Sequence, residues 1–564
     1  VNYITGKGLD GQPVPIDAIP APIPTTTPHR RSSENEIGMV SAISGGSAKI
    51  MLDIAAMAGL AGHSDPSVAM AGQVGSQIKM RVGACWLVAS VRTLALDSRS
   101  STHIVADVDF IGEGDQEQLT GRIFRFRRGV TRFPVPGTQI FPVSNSDMQE
   151  IYASSEESRI EIGMVYPTAN TRASLLIDTF LGKHFALLGS TGTGKSTSAA
   201  LILHRICDMA PQGHIVMIDP HGEYGSAFAN NGAVYDAGNL ELPYWLMNFE
   251  EHCEVFVTSK GPERAQDCDI LAKCLLAARS RNRLAEGIGR LTVDSPVPYL
   301  LSDLTAILGN EMGKLDKSTN TLPYLRLRTR LDEIKADPRF SFMFSGMLVA
   351  DSMHAFLAKV FRLPAQGKPI SIVDTSAMPS EITHVVVSVL ARLIFDYAIW
   401  SRDEAQKPIL LVCEEAHRYI PASTVGEGQS VRKILERIAK EGRKYGVSLG
   451  LITQRPSDLA EGVLSQCGTL ITMRLNNERD QHFVKAAMPE GSRGFLDAIP
   501  ALRNRECIVC GEGVTVPIRV AFDDLEAARR PASADPVFSE LWRQTGGEEE
   551  ILERTINRWR NQGR

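Results

Sequence analysis

The sequence predicts an α/β fold: a nucleotide-binding core on a parallel sheet, preceded by a small β-barrel and interrupted by a helical bundle. Three observations predict it. A complete phosphate-binding loop stands between a strand-like apolar run and a helix-like one. A second buried-type strand, 408–413, runs directly into paired carboxylates, Glu414 and Glu415. Short β segments punctuated by glycine crowd residues 37–161, whereas 245–366 carries apolar residues at helical spacing.

The loop is the centre of the chain. Gly189, Ser190, Thr191, Gly192, Thr193, Gly194, Lys195, Ser196 and Thr197 satisfy the G-x-x-x-x-G-K-[ST] pattern in full. The apolar run 184–188 feeds it, and 197–209 continues as a helix. The glycines let the backbone curl so that successive N–H groups point at phosphate oxygens, reinforced by the helix N-terminus. Lys195 then reaches the β- and γ-phosphates, and the Ser196 hydroxyl can ligate Mg²⁺. The chain is therefore expected to bind ATP with Mg²⁺.

Taken in order, residues 1–35 are rich in proline, glycine and threonine and read as an extended or disordered arm. Residues 36–165 are assigned to the β-barrel, with strands expected at 38–43, 48–52, 78–82, 85–94, 103–110, 119–126 and 139–142. The basic, aromatic stretch 121–128 reads either as a nucleic-acid contact or as a solvated strand with a buried aromatic face.

Residues 166–244 form the first part of the core. The strand 213–218 ends in an acidic turn carrying Asp219 and Glu223, candidates for positioning water or magnesium ahead of the alternative of a structural turn. The helical insertion, 245–366, has helices expected at 265–279, 298–308, 322–335 and 353–360. Its Arg326, Arg328 and Arg330 read as a solvated face before a phosphate contact. The core resumes over 367–523. Glu414 is placed on the metal side and Glu415 at the attacking water. The strand 447–453 closes on Gln454, positioned to sense the γ-phosphate or orient water. Residues 524–564 read as a charged, mostly helical tail.

Composition narrows the function classes. At 564 residues the chain holds several domains' worth of core. A net charge of −5 gives no global attraction to nucleic acid, so any DNA contact rests on local basic surface. Nine scattered cysteines suit a reducing cytoplasm, the expected location, better than a disulfide framework. Cys507 and Cys510 form a C-x-x-C spacing, but within an apolar strand, where i and i+3 face opposite ways. Neither a membrane span nor a signal peptide is expected.

The phosphate loop, Asp219-Pro220-His221-Gly222-Glu223-Tyr224, Glu414-Glu415-Ala416-His417 and Ile452-Thr453-Gln454-Arg455-Pro456-Ser457, in this order, resemble the HerA family within the HerA–FtsK superfamily of ring-forming ATPases. The resemblance runs over residues 37–523. It implies a RecA-like core behind an N-terminal HAS barrel, a homo-hexamer around double-stranded DNA, and Mg²⁺-dependent hydrolysis at subunit interfaces. It also implies an arginine acting in trans; Arg443 matches that position, with Arg474 as runner-up. A separate nuclease or NAD-consuming effector is the implied partner, in DNA end processing or anti-phage defence. A nucleotide-gated scaffold with little translocation is the competing reading. Arg432, Lys433 and Arg493 are candidate DNA-phosphate contacts. The proline-rich arm and Glu414, where aspartate is commoner, depart from the family pattern.

Overall fold

The computed structural model of the chain describes residues 36–560, apart from 98–100, 118–119, 154–157, 169, 315–319, 346–349, 424–427, 489–496, 533–536, 544–545 and 547. The proline-rich arm and Arg493 lie outside the described residues.

The first unit is a closed antiparallel barrel. Its strands are β1 (Gly38–Ser44), β2 (Ser47–Asp53), β3 (Gln77–Val82), β4 (Cys85–Leu96), β5 (His103–Gln116), β6 (Ile123–Arg128) and β7 (Gln139–Pro142). They run in the order β2-β1-β7-β3-β4-β5-β6, and β2 also pairs with β5, so six strands close while β6 hangs from β5. Closure removes the open edges. Ile50, Leu52, Ile78, Met80 and Val108 fill the interior. The aromatic face expected of β6 is only half formed. Phe126 is buried, but Phe124 is 46% exposed, because Arg125 adopts a left-handed φ of 51° and the pairing register slips between Glu113 and Asp115.

The core is one eleven-stranded sheet. After β8 (Arg159–Val165) and β9 (Arg172–Leu176) come β10 (Phe185–Leu188), β11 (Ile215–Asp219), β12 (Gly232–Tyr235) and β13 (Ile370–Asp374). Then follow β14 (Ile409–Cys413), β15 (Val447–Thr453), β16 (Thr469–Met473), β17 (Glu506–Gly511) and β18 (Ile518–Phe522). The order is β12-β13-β11-β14-β15-β10-β16-β17-β18-β8-β9. The first seven are parallel; the last four continue antiparallel. β8 falls within the segment assigned to the barrel, yet it pairs with β18 and extends the core sheet.

The central strands are apolar throughout because both faces are covered. The loop's own helix, Lys195–Met209, packs on one face. Ser380–Trp400 and Gln429–Glu441 cover the other. Ser380–Trp400 is long and apolar enough to cross a membrane, and it is mostly buried against the sheet. The insertion contributes Phe249–Phe256, Pro262–Arg279, Leu301–Gly313, Leu322–Ala336 and Met353–Phe361, whose apolar faces join that same core. Its arginines are tied within the protein: Arg326 to Asp267 at 2.8 Å, Arg330 to Glu381 at 3.4 Å and Arg328 to Asp332 at 4.0 Å. Cys507 and Cys510 are both buried and sit in different cores, on opposite faces of β17.

Candidate active site

The parallel strands deliver their C-terminal ends to one edge, where an α/β sheet binds its ligand. Leu188 ends β10 and opens the phosphate loop. The loop is held by its own backbone: Gly189 N–H donates to Thr453 O at 3.3 Å and Ser190 N–H to Arg474 O at 3.0 Å. Thr193 Oγ1 donates to Ser190 O at 2.7 Å, closing the curl. Gly194, at φ 92°, cannot carry a side chain, since a Cβ would meet Arg505 Cγ at 2.8 Å. Thr191 Oγ1 hydrogen-bonds Gln454, so the end of β15 reaches the loop. A cleft of about 470 Å³ opens here, lined by Ser190, Thr191, Gln454, Asn476 and Arg479 among others.

Lys195, Glu414 and Glu415 converge below the loop and are all buried. Lys195 Nζ lies 3.6 Å from Glu415 Oε1. Glu415 adopts φ 50° and ψ 45°, a left-handed conformation that costs a residue with a side chain about 1–3 kcal/mol. It stands at the start of the short 3-10 turn Ala416–Arg418 that follows β14. Glu414 keeps its backbone in register, donating N–H to Ile218 O at 3.1 Å. Burial pushes its carboxyl up to about 7, against the pull of Lys195 and of a hydrogen bond from Tyr224.

Tyr224 ends the Asp219–Tyr224 motif, and nothing in the sequence marks its role. Its buried hydroxyl donates to Glu414 Oε2 at 2.9 Å and also hydrogen-bonds Ser196. One phenol thus gathers a serine hydroxyl and a carboxylate, the hard oxygen donors that Mg²⁺ prefers, so this pair fits the ion.

Asp219 behaves differently from a free catalytic carboxylate. Oδ1 accepts the N–H groups of His221 at 3.2 Å and Gly222 at 2.9 Å, and Oδ2 accepts that of Tyr224 at 2.9 Å. Both oxygens serve the turn that presents Tyr224, which favours the structural reading. Glu223 is half-buried on the same turn, and its carbonyl accepts Ala532 N–H at 2.9 Å.

The two arginines separate. Arg474 stands beside its own loop, donating to Asn504 Oδ1 at 2.8 Å. Arg443 lies at the start of β15, a strand's length from Gln454, or roughly 20 Å for seven residues. It is exposed, and among the described residues its guanidinium makes no hydrogen bond or ion pair. Arg432 pairs with Glu436 at 2.8 Å and donates to Ser423 O, and Lys433 pairs with Glu250, so both are engaged within the chain.

Residues 160–394 match the family model described as the central domain of helicase HerA. Over that stretch the chain is similar to the HerA central domain. It is 26% identical over 517 residues to the DNA double-strand break repair helicase HerA of Pyrococcus furiosus, covering 84% of this chain and 87% of that protein. It is also 26% identical over 460 residues to the probable DNA double-strand break repair helicase HerA of Methanocaldococcus jannaschii, covering 75% and 87%. Among solved structures it is similar to VirB4 of Thermoanaerobacter pseudethanolicus, with a TM-score of 0.49 and 17% identity over 67% of this chain and 99% of that one. With the phosphate loop and the paired carboxylates assembled on one sheet edge, this HerA-like core is that of a P-loop ATPase.

Proposed function

We propose that the chain is a ring-forming, ATP-driven translocase of double-stranded DNA. The observation that carries this is the division of the hydrolytic set: Lys195, Glu415 and Gln454 share one edge, while Arg443 waits exposed at the far end of β15. A site so divided calls for a second copy to complete it, and head-to-tail contacts of that kind close into rings where the rotation between copies closes. The double-strand break repair helicases that the chain resembles support DNA as the track.

In the proposed cycle Lys195 leaves Glu415 for the β- and γ-phosphates. Glu415 then takes the proton of the attacking water, with Gln454 orienting that water. Arg443 of the partner subunit neutralises charge gathering on the transferred group. Ser196 and Glu414 would hold Mg²⁺, which supplies charge neutralisation at the β- and γ-phosphate oxygens. A nuclease or NAD-consuming effector would be a separate chain; Phe124, Phe133 and Val135 are exposed on the barrel unit. The test is displacement of a third strand from a DNA triplex. The chain with ATP is expected to strip it, and Glu415→Gln is expected to leave it in place. DNA-stimulated hydrolysis without displacement would instead support the nucleotide-gated scaffold.

A further inference from the structure

Behind Glu415 lies a contact that the proposed cycle leaves unused. His417 Nδ1 stands 3.2 Å from Glu415 Oε2 and 3.0 Å from Thr453 Oγ1. Thr453 is fully buried and ends β15, immediately before Gln454. Its hydroxyl oxygen also accepts Arg455 N–H at 3.0 Å. Glu415 Oε2 is buried and has no aligned hydrogen bond from any described residue; the His417 ring nitrogen approaches it at 3.2 Å without one.

One ring nitrogen facing two oxygens has two arrangements. If Nδ1 is bare, it accepts the Thr453 hydroxyl proton, and its lone pair then faces a carboxylate oxygen left with no donor. That is the costlier state for a buried charge. If Nδ1 carries the hydrogen, a small turn of the ring aligns it with Oε2, 3.2 Å away, and Thr453 still keeps the Arg455 N–H. Burial holds the His417 imidazole below its ordinary pKa, although Glu415 pulls the other way, so the ring is neutral with one N–H to place.

We propose that His417 is a positioning residue for Glu415: its Nδ1–H anchors Oε2, which leaves Oε1, the oxygen 3.6 Å from Lys195, as the one that meets the attacking water. The left-handed backbone at Glu415 needs such an anchor, because a strained residue keeps its geometry only where its surroundings over-determine it. The Thr453 hydroxyl shares the same nitrogen, so the carboxylate is tied to the strand end that carries Gln454. The inference rests on Glu415 being the base.

Asparagine places an N–H close to the position of Nδ1, whereas alanine and leucine do not. His417→Ala is expected to lower kcat about tenfold or more, a part of what a general base supplies, with KM and Kd for ATP within about twofold of wild type. His417→Asn is expected to restore most of kcat. If His417→Ala fails to fold, His417→Leu keeps the volume, lacks the donor, and enters the same comparison. Unchanged kcat in the donor-less variant, equal impairment of the asparagine variant, or a loss confined to KM would overturn the proposal. Glu415→Gln is measured alongside. If it turns over ATP like wild type, it is the reading of Glu415 that fails, whatever His417 does.

Discussion

Lys195 Nζ lies 3.6 Å from Glu415 Oε1, so the cation of the phosphate loop and the carboxylate proposed as the base are paired with each other. Both are buried, and each limits the other's freedom to act early. Lys195→Ala is expected to lose ATP affinity and turnover together. Glu415→Gln releases the lysine, so ATP should bind as tightly as in wild type or more so, while turnover falls by about 100-fold or more. Fluorescent-nucleotide titration and steady-state hydrolysis separate the two; weakened binding in Glu415→Gln would contradict the pairing.

Tyr224 holds Ser196 and Glu414 through a single hydroxyl. Tyr224→Phe keeps the ring and removes that link. The Mg²⁺ concentration for half-maximal hydrolysis is expected to rise by about 10-fold, the usual scale for losing an outer partner of a metal site. A magnesium titration at saturating ATP checks it, and an unchanged midpoint would free Tyr224 of this role.

Glu414 gives a pH dependence with a definite sign. Burial raises its folded-state value to about 7, above the ordinary 4.5. Folding therefore favours the protonated form, and the associated stability, present below about pH 4.5, is lost as pH rises through 7. Glu414→Gln escapes that loss. In nucleotide-free thermal melts it is expected to exceed wild type at pH 8, with the gap shrinking toward pH 5. A constant gap across that range would refute the assignment.

What the sequence disclosed was what lies contiguous in it. The phosphate loop and the apolar runs ending at Asp219, Glu414 and Gln454 each declare themselves within ten residues. β10, β11, β14 and β15 then bring those ends to one edge. Contacts between distant segments were not legible. Tyr224 meets Glu414 across 190 positions, and Lys433 meets Glu250 across 183, so a bridging phenol and a paired lysine looked like a plain aromatic and a free cation. Asp219 carried a local warning: Asp-Pro-His-Gly is the sequence of a turn in which the aspartate accepts its own loop's N–H groups. The bulge at Arg125 had no such signal, because the slip depends on the register with β5.

The division of the site between two copies can be measured directly. Arg443→Ala and Glu415→Gln chains are each expected to bind ATP and hydrolyse almost none. In an exchange-competent equimolar mixture, about a quarter of head-to-tail interfaces join the intact Glu415 of one chain to the intact Arg443 of its neighbour. Steady-state hydrolysis by the mixture should therefore recover to a clear fraction of wild type, on the order of that quarter. Activity no higher than the sum of the two variants alone, with exchange verified, would contradict a site completed in trans.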